Sequence, residues 1–135
     1  MTDANTKTDE VEMKLCITSE GPSLESKVDP RFGRCRYFII VDTDTMEFKA
    51  LENLQAGASG GAGIQAGQFM SSSGVKAVLT GNVGPNAFQT LRAAGIDIFT
   101  GISGTVRDAL KRYKEETLSK TQAPTTASKT GLQKT

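Results

Sequence analysis

The sequence predicts an α/β domain built on a mixed sheet, with the element order β-β-β-α-β-α-β-α. Three observations carry this. Two early apolar runs, at 13–18 and 37–42, are rich in branched and aromatic side chains and lack helical spacing. From residue 62 onward, apolar residues spaced three and four apart alternate with short apolar runs. Finally, three glycine-punctuated turns, at 57–63, 80–86 and 100–105, each precede a helical segment.

Taken in order, the first strand covers 13–18 and ends at Glu20-Gly21-Pro22, and the second is Tyr37-Phe38-Ile39-Ile40-Val41-Asp42. Asp42-Thr43-Asp44-Thr45 supplies Asx-type turn residues before 47–51, whose Phe48 and Ala50 alternate with polar neighbours as in an exposed edge strand. A hairpin is expected. Ala62, Ala66, Phe69, Met70 and Ser73 form a helical stripe closed by Gly74. A strand at 76–80 leads to Gly84-Pro85-Asn86, where proline suits the first turn of a helix because its missing N–H costs nothing there. Ala87, Phe88, Leu91 and Ala94 are its apolar face, and Gly95 its stop. The last strand is 96–100. Ser103 is the expected N-cap of a final helix with Val106, Ala109, Leu110 and Tyr113 on its inner face.

With 135 residues the chain suits one domain, and its 37% apolar and 23% charged content suits a soluble one. No apolar run approaches the ~18 residues of a membrane helix, so no membrane span is expected. The first ten residues lack the features of a signal peptide, which makes the cytoplasm the expected location. Net charge is +1 with dispersed basic residues, so nucleic acid is not an expected partner. Residues 1–12 and 119–135 are too polar to bury much surface. Both ends are expected to be disordered, leaving a folded domain over 13–118.

The chain has no histidine and two cysteines, Cys16 and Cys35. Imidazole is therefore excluded as base or metal ligand, and no catalytic residue is assigned. Cys16, central in an apolar strand, reads as a small buried hydrophobe. Cys35, between Arg34 and Arg36, has an electropositive setting that favours thiolate, which makes it a candidate ligand for a soft metal. Helix N-termini carry unpaired N–H groups and partial positive charge, so several opening on one sheet edge would bind an anion. The expected site combines Gly60, Gly61 and Gly63, Asn82, Gly84 and Asn86, and Gly104 and Thr105, backed by Arg31 and Arg34 and walled by Phe32.

The run Val28-Asp29-Pro30-Arg31-Phe32-Gly33-Arg34, followed by Gly60-Gly61-Ala62-Gly63-Ile64-Gln65-Ala66, Thr80-Gly81-Asn82-Val83-Gly84-Pro85-Asn86-Ala87-Phe88 and Gly104-Thr105-Val106, resembles the dinitrogenase iron-molybdenum cofactor biosynthesis family over nearly all of 13–113. The resemblance implies a ribonuclease H-like three-layer fold with a five-stranded mixed sheet. It also implies a carrier or assembly role for metal–sulfur clusters rather than an enzyme. The chain looks most like the orange-protein branch, which implies a molybdenum–copper sulfide cluster held non-covalently and a P-loop ATPase of the cell-division positioning type as partner. An iron–molybdenum cofactor or its precursor is the alternative cargo. Many relatives carry a histidine before the glycine loop; here Ala58 and Ser59 stand in its place, which tells against histidine ligation.

Two other functions compete. A phosphate-containing small molecule would suit the same donors. A ribonuclease H-like hydrolase would need several convergent carboxylates for divalent metal, and residues 13–18 carry none, with only Glu20 and Asp29 nearby.

Overall fold

A computed structural model describes residues 13–54 and 61–126. Its strands are β1 (Lys14–Ser19), β2 (Tyr37–Asp42), β3 (Phe48–Glu52), β4 (Val75–Leu79) and β5 (Asp97–Phe99); its helices are α1 (Ala62–Ser72), α2 (Pro85–Ala93) and α3 (Val106–Lys114). The strands form one mixed sheet in the order β3-β2-β1-β4-β5. β1 pairs antiparallel with β2 and parallel with β4, β2–β3 is antiparallel, and β4–β5 is parallel. The expected element order and three-layer ribonuclease H-like arrangement are both present.

Alternation along each strand sorts the core into two layers. Cys16, Phe38, Ile40, Val78 and Ile98 point to one face, where Ala66 and Met70 of α1 and Ala87, Phe88 and Leu91 of α2 cover them. Leu15, Ile17, Ile39, Val41, Ala77 and Leu79 point to the other, covered by Val106, Ala109 and Leu110 of α3. The central strands are buried on both sides, which is why they read as continuous apolar runs. β3 is the exposed edge strand its alternation predicts. The turn before it uses the Asp42 carboxylate, which accepts from the Asp44 N–H at 2.8 Å.

Three local expectations are corrected. Ala94 is exposed at the α2 C-terminus. The N-cap of α3 is Thr105 rather than Ser103, because Thr105 completes a reciprocal capping box with Asp108. The boundary at 118 also moves: within 119–126, Lys120 pairs with Asp97 at 3.5 Å, and the Thr121 and Thr125 N–H groups donate to the Ile98 and Val83 carbonyls at 2.6 and 2.8 Å. Backbone and hydroxyl hydrogen bonds tie this stretch down, a source of docking that apolar content does not register. The remaining parts of both expected tails, 1–12 and 127–135, lie outside the described residues.

Candidate functional site

Among the described residues, all three helices start at one end of the sheet, because β3, β4 and β5 run parallel to β1 and each leads into a helix. The segment from Asp29 to Arg36 crosses that end. Its backbone pairs with the exit of β4: the Asn82 N–H donates to the Pro30 carbonyl at 2.8 Å and the Phe32 N–H to the Asn82 carbonyl at 3.2 Å. This approach needs glycine at 81, where an added Cβ would lie 2.6 Å from the Pro30 Cα. Gly33 has φ +93°, and a Cβ there would lie 3.0 Å from the Gly63 Cα, so the crossing segment rests directly on the start of α1.

The result is an open cleft of about 400 Å³. Arg31, Phe32, Arg34, Gly61, Gly63, Asn82, Gly84 and Asn86, all expected site residues, line it together. α1 and α2 enter through Gly61 and Gly84, residues with no side chain to cap a helix, and neither first turn contains an acid. First-turn N–H groups and partial positive charge therefore face the cleft. Phe32 lines the cleft and also packs in the core, where it is only 7% exposed.

Asp29 organises the basic side. It is buried, yet its Oδ1 accepts from the Arg31 backbone N–H at 3.1 Å and from Arg31 Nε at 3.2 Å, while Oδ2 accepts from Arg31 Nη2 and the Arg36 N–H, each at 3.3 Å. The hydrogen bond and the carboxylate charge raise the Arg31 pKa above its already high ordinary value, so this cation is permanent. Below the arginines, Asn53 Nδ2 donates to the Gly33 and Cys35 carbonyls at 2.9 Å each and holds the loop from the β3 side. Thr18 Oγ1 donates to the Asp29 carbonyl at 2.6 Å and lies 2.8 Å from Thr80 Oγ1, joining the ends of β1 and β4 beneath the crossing segment.

Other expected residues are elsewhere. Gly104 and Thr105 are not among the cleft's lining residues: α3 packs on the opposite face, the Gly104 carbonyl accepts from the Val28 N–H, and Thr105 is engaged with Asp108. Cys35 corrects the expectation of a reactive thiolate. It is fully buried among Phe32, Phe38 and their neighbours, and burial, with the Asp29 carboxylate adding to it, pushes the thiol pKa up to about 12. Cys16 is the buried hydrophobe expected, its thiol raised well above the usual range by burial. Gly60 lies outside the described residues. Two positions at this end of the sheet were not picked out as site residues by sequence reasoning. Asp29 offered a signal in its place before Pro30-Arg31, but Thr126, which also lines the cleft, sits in a polar tail with none.

Among the described residues, no group of three or more His, Cys, Asp or Glu is gathered to hold a metal ion, so the cleft's chemistry is that of N–H and guanidinium donors. Nor is any helix among them long and apolar enough to cross a membrane.

Residues 13–116 match the family model described as dinitrogenase iron-molybdenum cofactor. The chain belongs to that family. Among solved structures it is similar to the apo form of the orange protein from Desulfovibrio gigas, with 41% identity, a TM-score of 0.81, and coverage of 83% of this chain and 95% of that one. A Thermotoga protein described as NifB is 39% identical with a TM-score of 0.71, covering 80% of this chain and 92% of that one. An uncharacterized protein of Methanocaldococcus jannaschii is 28% identical over 111 residues, 80% of this chain and 91% of that protein. A role with metal-containing clusters follows from the family; no individual ligand residue does.

Proposed function

We propose that this protein binds and carries an anionic metal–sulfide cluster, of molybdenum–copper sulfide or iron–molybdenum type, held mainly by non-covalent donors in the cleft, and that it is not itself an enzyme. The observation that carries this is the convergence of two glycine-entered helix N-termini with Arg31 and Arg34 around one cleft. A sulfide cluster is a polyanion that needs many weak donors, and backbone N–H groups are already aimed inward and cost no reorganisation on binding. Likeness to an orange protein favours the molybdenum–copper cargo. A P-loop ATPase of the cell-division positioning type is the proposed partner, to be sought by co-purification from the native host.

Titration of the apo protein with tetrathiomolybdate and copper(I) tests the assignment. Amide shifts are expected at Gly61–Gly63 and Asn82–Asn86, with Gly74 and Gly95 at the opposite end nearly unmoved. Arg31→Ala combined with Arg34→Ala is expected to weaken binding and flatten its salt dependence, since exposed charge attraction is screened within about 8 Å at physiological ionic strength. Shifts centred elsewhere would refute the site. Equal competition by inorganic phosphate would move the assignment to a phosphate-bearing small molecule.

A further inference from the structure

After α3 the chain turns back toward the site end of the sheet. Leu118 packs against the α3-side core, Lys120 pairs with Asp97, and the Thr121 hydroxyl lies 2.7 Å from that of Thr100 and accepts from the Thr100 N–H at 3.0 Å. The segment thus runs along β5, a three-residue edge strand whose outer backbone groups need cover. It ends on the β4–α2 loop. There Val83 and Thr125 bond reciprocally: the Val83 N–H donates to Thr125 Oγ1 at 2.8 Å and the Thr125 N–H donates to the Val83 carbonyl at 2.8 Å. The Thr126 N–H adds a longer bond of 3.3 Å to the same carbonyl. The Thr126 hydroxyl lies 3.4 Å from where a Cβ would stand on Gly84, the residue that opens α2, and Thr126 lines the cleft.

These contacts have a direction. Val83 is buried between Asn82 and Gly84, both of which line the cleft, so anything that fixes the Val83 backbone fixes the donors on either side of it. A threonine hydroxyl at the rim of α2 is also a donor that strengthens when its acceptor carries charge.

We propose that residues 119–126 form a strap that completes the binding site, with Thr125 as a positioning residue that holds the Asn82–Asn86 loop and Thr126 as a ligand-facing donor at its rim. The ligand role of Thr126 rests on the anion-binding role proposed above; the hold of Thr125 on the loop does not. The strap also explains why a stretch without large apolar side chains is tied to the domain: its partners are mainly the backbone of β5 and of the site loop.

Two full-length variants test this, each keeping a β-branched side chain at an exposed position. In Thr125→Val, amide hydrogen exchange at Val83 is expected to rise about tenfold, the scale of one net hydrogen bond; unchanged exchange would overturn the positioning role. In Thr126→Val, exchange at Val83 is expected to stay as in the native protein while affinity for tetrathiomolybdate with copper(I) falls about threefold or more, as for loss of one hydroxyl donor. If the native chain binds the probe in the cleft and Thr126→Val binds it equally well, Thr126 is no part of the site. If the native chain does not take the probe at all, the cluster-carrying role fails and with it the ligand role of Thr126, while Val83 exchange still decides for or against the strap as an organiser of the loop.

Discussion

α2 and α3 both begin at the same end of the sheet, each directly after a parallel strand, yet their first turns are finished in opposite ways. The donors at the α3 start are satisfied within the chain: Thr105 Oγ1 accepts from the Asp108 N–H at 3.0 Å, Asp108 Oδ2 accepts from the Thr105 N–H at 3.1 Å, and the Val106 and Arg107 N–H groups donate to the Ser26 and Leu24 carbonyls at 2.9 Å each. α2, like α1, is entered through a glycine and has no acid in its first turn. A helix end closed by its own side chains serves stability, while one left open keeps its donors for something outside the chain. The cleft forms where two open ends meet the arginine segment, and the closed end stands apart from it.

The largest effect is expected from removing the group that organises the arginine segment from within. Asp29→Ala would leave the buried acceptor site empty and strip the Arg31 and Arg36 N–H groups of a partner, destabilising the fold by about 3 kcal/mol, as for loss of a buried charged acceptor. Denaturant unfolding measures it; a loss under ~1 kcal/mol would mean that water replaces the carboxylate at little cost.

Giving α2 the kind of acid that α3 has would convert an open end into a closed one. Gly84 has φ −83° and ψ 175°, an ordinary extended conformation, and an added Cβ would meet only the Thr126 hydroxyl at 3.4 Å. Gly84→Asp is therefore expected to change stability by only a few tenths of a kcal/mol, the difference between these residues as N-caps. Affinity for the molybdenum–copper probe should meanwhile fall at least tenfold, about 1.4 kcal/mol. Retained affinity in a folded variant would show that the α2 N-terminus is not part of the site.

The reverse experiment opens the closed end. Thr105→Ala is expected to cost about 1 kcal/mol of stability, the usual value of a lost cap, with probe affinity unchanged. A fall in affinity would restore α3 to the site.

The smallest effect is a pH dependence confined to α3. Hydrogen bonds from the Thr105 backbone N–H, with its side chain next, hold the Asp108 carboxyl below its ordinary value. A depressed carboxyl contributes stability that is fully present above the unfolded-state pKa, about 3.9, and is lost as pH falls through the lower folded value. Asp108→Asn should remove this part of the acid-side decline in melting temperature. An unchanged acid profile would show that the carboxylate adds nothing to the cap.

How legible each region was follows from where its information resides. The strands and helices were readable because Tyr37–Asp42 and the stripes of α1, α2 and α3 announce their period within a few residues. Cys35 was misread for the converse reason. Its sequence neighbours are two arginines, but in the loop before β2 those side chains are exposed while the thiol is buried in the core, where desolvation and the Asp29 carboxylate both raise its pKa. Thr126 could not be read at all, since a polar tail docks through backbone partners that sequence does not name.

By itself, the sequence determined the element order, the apolar runs of the strands, the glycines at the helix entries and the arginine motif, because each depends on local period or residue type. Tertiary structure alone decided which helix starts face one another. α1 and α2 share a face and bring their N-termini to the arginine segment, while α3 takes the other face and is capped. The sheet is the reason: side chains alternate across it, so which residues meet over one edge depends on strand order and crossover side, and both are set by burying the whole core at once.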